Sequence, residues 1–132
     1  MGIEMARAIG DIAAERDRQR RVLDYDDRRD DGHTAGQLAS GAAMYAYAST
    51  LSDAARDYTR TARTDQDGSV IFINMLRHLW PSNWKPPTWH DRRQQLVKAG
   101  AMIVAEIERI DRLAMRGLDA NMRPLQPRRE PE

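Results

Sequence analysis

The chain has 132 residues, 21 of them basic and 20 acidic, and it contains no cysteine. This length fits one domain with a modest core. The composition excludes disulfides, thiol catalysis and thiolate metal sites. The balanced charge argues against general binding of polymeric nucleic acid, so any anion site must come from local placement of charge.

No apolar run approaches the length of a membrane span, and the N-terminus has no apolar signal core. We therefore expect a soluble, cytoplasmic protein without a membrane partner. Hydrophobic residues make up 41% of the chain, and many are alanine. Such a thin core suggests closely packed helices, or helices that are completed by another subunit.

Apolar residues at helical spacing predict a first helix over residues 3–23. Residues 24–33, DYDDRRDDGH, contain five aspartates and a glycine, which predicts a loop. A second helix, rich in small residues, is predicted over 35–56 with Thr34 as its N-cap. Tyr45 and Tyr47 are two positions apart on this helix, so only one of them can face the core.

Residues 57–76 carry β-branched and aromatic residues on both sides of TDQDG, which predicts a β-hairpin. The alternative is a short helix in SVIFINMLRHL. Residues 80–89, WPSNWKPPTW, hold three prolines and three tryptophans, so they predict an irregular loop. We expect at least two of the tryptophans to pack on the core, and this rigid loop would also suit the wall of a pocket for a flat, charged ligand.

A third long helix is predicted from Thr88 or His90 to Gly117, which is a natural C′ residue. Its expected buried stripe consists of Leu96, Val97, Ala101, Ile103, Val104, Ile107 and Ile110. Residues 1–118 would form one ligand-binding domain, and residues 119–132 a disordered tail. The expected fold is mainly α: a compact helical domain of three long helices with a small β-hairpin insertion, assembled as an oligomer.

The sequence contains no strong pattern of catalytic residues. Acidic residues occur at Glu15, Asp26, Asp27, Asp30, Asp31, Glu106 and Glu108, but they do not form a recognisable helical metal site. The three histidines have no patterned Ser or Asp partner, and no glycine-rich phosphate loop is present. We predict no catalytic residues, no metal and no cofactor.

Cations of the third helix give the clearest hint of a ligand. Arg109, Arg112 and Arg116 are spaced three and four apart, which predicts a row on one face, and His90 and Arg93 are one turn apart. Local pairs with Glu106 and Glu108 are one explanation. The other is bidentate binding of phosphate, with the neighbouring tryptophans against a base.

Four segments, ERDRQ, RDDGHTAGQLA, WPSNWKP and DRRQQLVKAGAMIVAEIERIDR, resemble a group of small phage-encoded proteins. That group has the patterns ERxRQ, HDDxHTxGELA, WPW with WWKP, and RRxxLVKAGALIxAEIERLDR. The match spans residues 15–112 in order, and its last block is long and specific. The chain departs from it at Arg29, where the group has histidine, at Gln37, where it has glutamate, and in an insertion around residues 57–75.

This group is similar to the first family of Thoeris anti-defence proteins, phage sponges that bind cyclic ADP-ribose signals, and in some members cyclic oligonucleotides, without cleaving them. The resemblance implies a homo-oligomer, a dimer or hexamer, in the cytoplasm of an infected bacterial host, with ligands between subunits. It implies phosphate contacts by His90, Arg93, Arg112 and Arg116, and a base covered by the loop around Trp84 and Lys85. The arginine row of the third helix and the tryptophan loop of residues 80–89 together give the predicted ligand-binding residues, which are Asn83, Trp84, Lys85, His90, Arg93, Arg109, Arg112 and Arg116.

The third helix also resembles the last helix of MazG-like nucleoside triphosphate pyrophosphohydrolases, which are helical and magnesium-dependent. Those enzymes carry ExxE and ExxD motifs. Here Glu4 and Glu15 are too far apart, and the second helix lacks acids between Thr34 and Ser52. The alternative function is therefore a degenerate member of that hydrolase family.

Overall fold

The computed structural model describes residues 2–21, 27–32, 36–52, 54, 78–81, 84, 87 and 89–126. These residues form four helices, which are α1 (Ile3–Arg21), α2 (Asp27–Asp31), α3 (Gln37–Ala48) and α4 (Arg92–Met115). The prediction of a mainly α protein is confirmed. The predicted β-hairpin at 57–76 lies outside the described residues, and the described part of the chain contains no strand. No helix in that part is both long enough and apolar enough to cross a membrane.

The longest helix, α4, is the centre of the fold, and α1, α2 and α3 all pack against it. Asp11 of α1 binds Arg93 near the start of α4, and Arg16 binds Glu108 near its end. These two pairs show that α1 runs parallel to α4. The contacts between α1 and α4 join residues about ninety positions apart. The fold is therefore complete only when α1 packs against α4.

The core lies mainly between α3 and α4, where small side chains let the two helices approach closely. Ala42 and Ala48 of α3 are buried, as are Ala99, Ala101 and Ala105 of α4. Larger buried groups, Met44, Tyr45 and Met102, complete this core, and the tryptophans of the loop before α4 pack on it. The expected close packing of alanine faces is therefore present.

Gly41 of α3 is a point of close approach in this core. A Cβ atom added there would lie 2.5 Å from Met102 Cε and 2.9 Å from Trp84 Cζ3. Gly10 of α1 provides a matched comparison, because a Cβ there would meet nothing within 4 Å.

We expect Gly10→Ala to raise the free energy of unfolding by about 0.5–1 kcal/mol, the usual gain in helix propensity. Gly41→Ala has the same gain but must displace the Trp84 ring, and overpacking costs about 1–3 kcal/mol. Chemical denaturation of both variants tests this difference. Equal stabilisation by the two substitutions would contradict the tight contact at Gly41.

The buried face of α4 differs from the predicted stripe. Val97 and Ala101 are buried, but Leu96, Ile103, Ile107 and Ile110 are exposed, so the prediction was wrong for these four residues. The buried side is lined instead by Gln95, Arg109, Leu113 and the alanines. Residue size explains much of the difference, because alanines form most of the α4 surface against α3, with Met102 beside Gly41, and the large aliphatic groups of the predicted stripe face outward.

The ends of α4 follow standard capping chemistry. Asp91 is the N-cap, and its carboxylate accepts a hydrogen bond of 2.8 Å from the Gln94 N–H. At the other end Gly117 has φ 77°, and the Leu118 N–H donates to the Leu113 carbonyl at 2.9 Å. This is a Schellman motif, so the predicted stop at Gly117 is confirmed.

Residues 118–126, most of which belong to the predicted tail, form a hydrogen-bonded turn after α4. Leu118 and Pro124 make an isolated bridge. The carboxylate of Asp119 accepts hydrogen bonds of 2.9 Å from the N–H groups of Asn121 and Arg123. This turn folds back on α4, where the Ala120 carbonyl accepts a hydrogen bond from Arg109.

The remaining predicted elements differ mainly in length. Helix α1 is described as far as Arg21, and residues 22 and 23 of the predicted helix lie outside the described residues. Helix α3 ends at Ala48 instead of residue 56. Gly36, with φ 81°, precedes α3, and the predicted cap Thr34 lies outside the described residues. Tyr45 is buried and Tyr47 is exposed, as the two-residue spacing predicted.

Helix α2 occupies part of the segment that was predicted to be a loop, so that prediction was wrong for residues 27–31. Tertiary ion pairs hold this helical turn. Asp30 binds Arg16 of α1 at 2.7 Å, and Asp31 binds Arg112 and Arg116 of α4 at 2.7 and 3.0 Å. These partners are distant in sequence, so the local composition of the segment did not indicate a helix.

Candidate functional site

Four aromatic side chains meet at the start of α4. We call Tyr45, Trp80, Trp84 and Trp89 the aromatic cluster. Tyr45 makes edge-to-face contacts with Trp80 and Trp89, with ring centroids 5.6 and 6.3 Å apart, and Trp80 packs in the same way on Trp84 at 5.1 Å. All three tryptophans pack on the core, which confirms the prediction that at least two would do so. Each of the three tryptophan residues is still partly exposed.

Two polar side chains from the beginning of α4, Gln95 and Lys98, border the aromatic cluster. Gln95 is completely buried, and its Oε1 accepts a hydrogen bond of 2.8 Å from the His90 backbone N–H. One turn further along, the Lys98 Nζ lies 5.8 Å from the centre of the Tyr45 ring. This distance is typical of a cation–π contact. Hydrogen-bonding groups and a positive charge therefore adjoin a set of flat apolar rings.

Several buried nitrogen atoms here have no hydrogen-bond partner among the described residues. They are Trp89 Nε1, His90 Nε2 and Gln95 Nε2. The indole N–H and the amide NH₂ can only donate. A buried donor without an acceptor costs about 1–3 kcal/mol, so such a group in a native protein calls for a bound water or a ligand. The site is therefore suited to a molecule rich in acceptor atoms.

The charges around these nitrogens come from both α1 and α4. Glu15 is buried and its carboxylate binds Arg18 through contacts of 2.8–3.0 Å. Burial lowers the pKa of Lys98; Glu15 raises it and Arg18 lowers it, and the net shift is downward. Burial also lowers the pKa of His90, with a further contribution from the Lys98 charge. His90 is therefore neutral at pH 7, and one ring nitrogen carries a proton.

The depressed pKa of His90 predicts a stability change in acid. The unfolded chain takes up a proton at the ordinary pKa of 6.5, but the folded chain does so only at lower pH. Stability is therefore retained above pH 6.5 and lost as the pH falls from that value towards the folded pKa. We expect His90→Asn to flatten the slope of unfolding free energy against pH below 6.5.

The control for this measurement is His78→Asn, because His78 is exposed. Denaturation curves at half-unit pH intervals compare the two variants with the parent chain. An unchanged slope in His90→Asn, or an equal effect in His78→Asn, would contradict the role of burial at His90.

The predicted row of arginines is divided among different partners. Arg109 is buried, binds Glu106 at 2.6 Å and donates to the Ala120 carbonyl at 3.1 Å. Arg112 and Arg116 turn instead to Asp31. Burial raises the pKa of Asp31, but hydrogen bonds and charges from these two guanidinium groups outweigh this effect. The pKa of Asp31 is therefore lower than its ordinary value of 3.8. Each of the three arginines thus contacts an acid of the same chain.

The remaining predicted cation, Arg93, is at the other end of α4. It binds Asp11 at 2.7 Å, and both side chains are about half exposed. At a rise of 1.5 Å per residue, Arg93 and Arg112 are separated by about 28 Å along the helix. Such a distance exceeds the size of a mononucleotide, so the structure does not bring the predicted cations together around one small ligand within a single chain.

Among the predicted site residues, Trp84 and His90 lie at the aromatic cluster, with Arg93 one turn after His90. Asn83 and Lys85 lie outside the described residues. Sequence reasoning did not select Trp89, Gln95 or Lys98 as site residues. The first, third and fourth motif segments nevertheless converge here, because they supply Glu15 and Arg18, then Trp80 and Trp84, then Gln95 and Lys98.

The acidic residues considered as metal ligands mostly act in ion pairs. Asp30 is buried and binds Arg16 at 2.7 Å, and Glu108 binds the same guanidinium at 2.9 Å. Within the part of the chain that the structure describes, no group of three or more His, Asp or Glu residues is arranged to hold a metal ion.

Comparison of the chain with protein-family models, with curated proteins and with solved structures found no match.

Proposed function

We propose that the protein binds a phosphate-bearing cyclic nucleotide signal at the aromatic cluster and holds it without cleaving it. The candidate ligands are cyclic ADP-ribose isomers and cyclic oligonucleotides. The observation that carries the proposal is the set of buried nitrogens beside the rings, at Trp89, His90 and Gln95, which have no acceptor among the described residues. A nucleotide offers base, ribose and phosphate acceptors together with a flat ring.

The chemistry of the cluster matches the parts of such a ligand. Partly exposed indole rings provide surfaces for a base, and stacking on an aromatic ring contributes about 1–3 kcal/mol per base. The Lys98 ammonium lies over the Tyr45 ring and would bind a phosphate oxygen. Gln95 and Trp89 would donate to base or phosphate acceptors. The site therefore combines apolar, polar and cationic contacts in one place.

Binding without cleavage fits this arrangement, because the aromatic rings, the buried donors and the Lys98 ammonium would all hold a bound ligand. A catalyst needs interactions that strengthen in the transition state and must release its product, whereas a sponge needs only tight binding. In this proposal the protein acts in the cytoplasm of an infected bacterium as a homo-oligomer, and it removes an immune signal from solution.

The test is a thermal-shift screen with cyclic ADP-ribose isomers, cyclic dinucleotides, cyclic trinucleotides and nucleoside triphosphates, each with and without Mg²⁺. A ligand at one hundred times its Kd adds about 2.7 kcal/mol of stability. We expect a cyclic nucleotide to stabilise the protein and to be recovered unchanged after heat denaturation. Mg²⁺-dependent release of pyrophosphate from a triphosphate would favour the MazG-like alternative, and the absence of any shift would refute nucleotide binding.

A further inference from the structure

The large aliphatic residues on the solvent side of α4 form one continuous row. We call Leu96, Ile103, Ile107 and Ile110 the outer stripe, and their exposed fractions are 47%, 48%, 52% and 38%. Their spacing of seven, four and three residues keeps them on one face, as in the seam of a coiled coil. Single exposed aliphatic residues are ordinary, but a continuous apolar row flanked by charges marks an interaction surface.

The outer stripe is long enough for a helix–helix interface, and a groove lies beside it. From Leu96 to Ile110 it extends about 21 Å at 1.5 Å per residue. On the side of α1, a groove of ≈ 360 Å³ opens between Ile9, Ile12 and Val104. Ile9 is itself 52% exposed. A helix placed on the outer stripe would therefore also find an apolar groove along its edge.

Charges at the two ends of the outer stripe indicate what covers it. Arg93, whose guanidinium also binds Asp11 of its own chain, and Asp111 are both exposed. They are 18 residues apart, which is five whole helical turns, so they lie on the same line along α4. In an antiparallel pair related by a two-fold axis, Arg93 of each copy faces Asp111 of the other. A parallel pair would bring the two Arg93 residues to one end and the two Asp111 residues to the other, so no Arg93 would meet an Asp111. These two charges are therefore complementary in the antiparallel arrangement only.

We propose that two copies of this chain pair through the outer stripes of their α4 helices, antiparallel and related by a two-fold axis near Ile103. Such a two-fold contact uses the same surface on both copies. Leu96 of one copy then packs near Ile110 of the other, and Arg93–Asp111 pairs close both ends. Arg112 and Arg116 are on the opposite face of α4, where they bind Asp31, so they take no part in this contact. The pairing goes beyond nucleotide binding and does not require it.

Single cysteines test both the pairing and its direction, because the chain has no cysteine of its own. A disulfide needs Cα atoms within about 7 Å. Ile103→Cys, next to the two-fold axis, is expected to form a cross-linked dimer under mild oxidation. Leu96→Cys and Ile110→Cys are each about 10 Å from the axis, so neither links to itself, but an equimolar mixture of the two forms a mixed dimer. Cross-linking of Leu96→Cys alone would indicate parallel pairing and overturn the proposal.

Sedimentation equilibrium of the full chain provides the second measurement. The parent protein should contain dimers, and Ile107→Glu should weaken dimerisation by at least about thirty-fold, the loss expected for a residue central to an interface. Ala43→Glu is the control, because Ala43 is exposed on α3 and its substitution should leave the dimer intact. A parent chain that is monomeric at high concentration, or an Ile107→Glu dimer as stable as the parent, would overturn the proposal. Both variants are checked by circular dichroism to confirm that they remain folded.

Discussion

Replacing Arg16 with methionine should lower the free energy of unfolding by about 3–5 kcal/mol, the usual cost of removing one partner of a buried ion pair. The Arg16 guanidinium is 6% exposed, and the Asp30 carboxylate that it binds at 2.7 Å is 1% exposed. Its second partner, Glu108, is 35% exposed and can be rehydrated. The loss therefore arises mainly at Asp30, which would remain in the interior without the Arg16 charge.

Chemical denaturation of Arg16→Met measures this effect, and Arg7→Met is the matched control. Arg7 is on the same helix but exposed, so its substitution should change stability by less than about 0.5 kcal/mol. The double variant Arg16→Met with Asp30→Asn should recover part of the loss, because the buried negative charge is removed as well. Equal effects of Arg16→Met and Arg7→Met would show that the buried pair does not hold α1, α2 and α4 together.

Replacing Lys98 with methionine should weaken binding of the proposed nucleotide by about 10–150-fold. This range corresponds to the loss of a charge-assisted hydrogen bond worth about 1.5–3 kcal/mol. Methionine retains the length and much of the apolar contact of the lysine side chain. Because Lys98 is half-buried, its substitution should not greatly destabilise the fold. Isothermal titration with the nucleotide that stabilises the parent chain gives both dissociation constants.

The control for this titration is Arg116→Met, which removes a cation about 27 Å further along α4. Arg116 belongs to the site predicted from the sequence, whereas Lys98 lies beside the aromatic cluster, over the Tyr45 ring. We expect Arg116→Met to bind with the affinity of the parent chain. Weaker binding by Arg116→Met with unchanged binding by Lys98→Met would show that the ligand binds at the other end of α4.

Local chemistry made several features of the fold predictable. The Schellman motif at Gly117 depends on a glycine that can adopt positive φ, so a single residue indicated where α4 ends. Tyr45 and Tyr47 were expected on opposite sides of a helix from their spacing alone. At least two of the three tryptophans were expected on the core, because tryptophan brings a large apolar surface to their loop. In each case the residue type or its spacing on the helix was enough for the prediction, without knowledge of its distant partners.

Features that depend on distant residues were not predictable in this way. The helical turn α2 is held by ion pairs to Arg16 and Arg112, which belong to other helices. The exposed side of α4 contains its larger aliphatic residues. Hydrophobic periodicity in the sequence assigns these residues to the core. The number of apolar residues did not decide which face is buried. What decided it was the fit of alanines against α3.

The candidate site was predictable only in part. His90 and Trp84 were selected from the charged and aromatic groups around the start of α4 and from the family resemblance, and the arginine row from its helical spacing and the same resemblance. That spacing did not reveal Asp31, the acid that Arg112 and Arg116 share. Gln95 was missed because glutamine is uncharged and the candidate residues of this helix were selected for their charge. Its position on the buried side of the helix, which helical spacing gives, would have been a usable signal.

The position of α4 in the chain has a consequence for biosynthesis. Helices α1, α2 and α3 all dock on α4, yet they precede it, and the Arg16–Glu108 contact spans 92 positions. A ribosome making this protein therefore releases α1 and α3 before their docking surface exists. Folding of this kind depends on distant contacts and is slow compared with that of a local hairpin of helices. During that interval the emerging chain exposes apolar residues that chaperones recognise, and a stalled or shortened translation product should aggregate or be degraded.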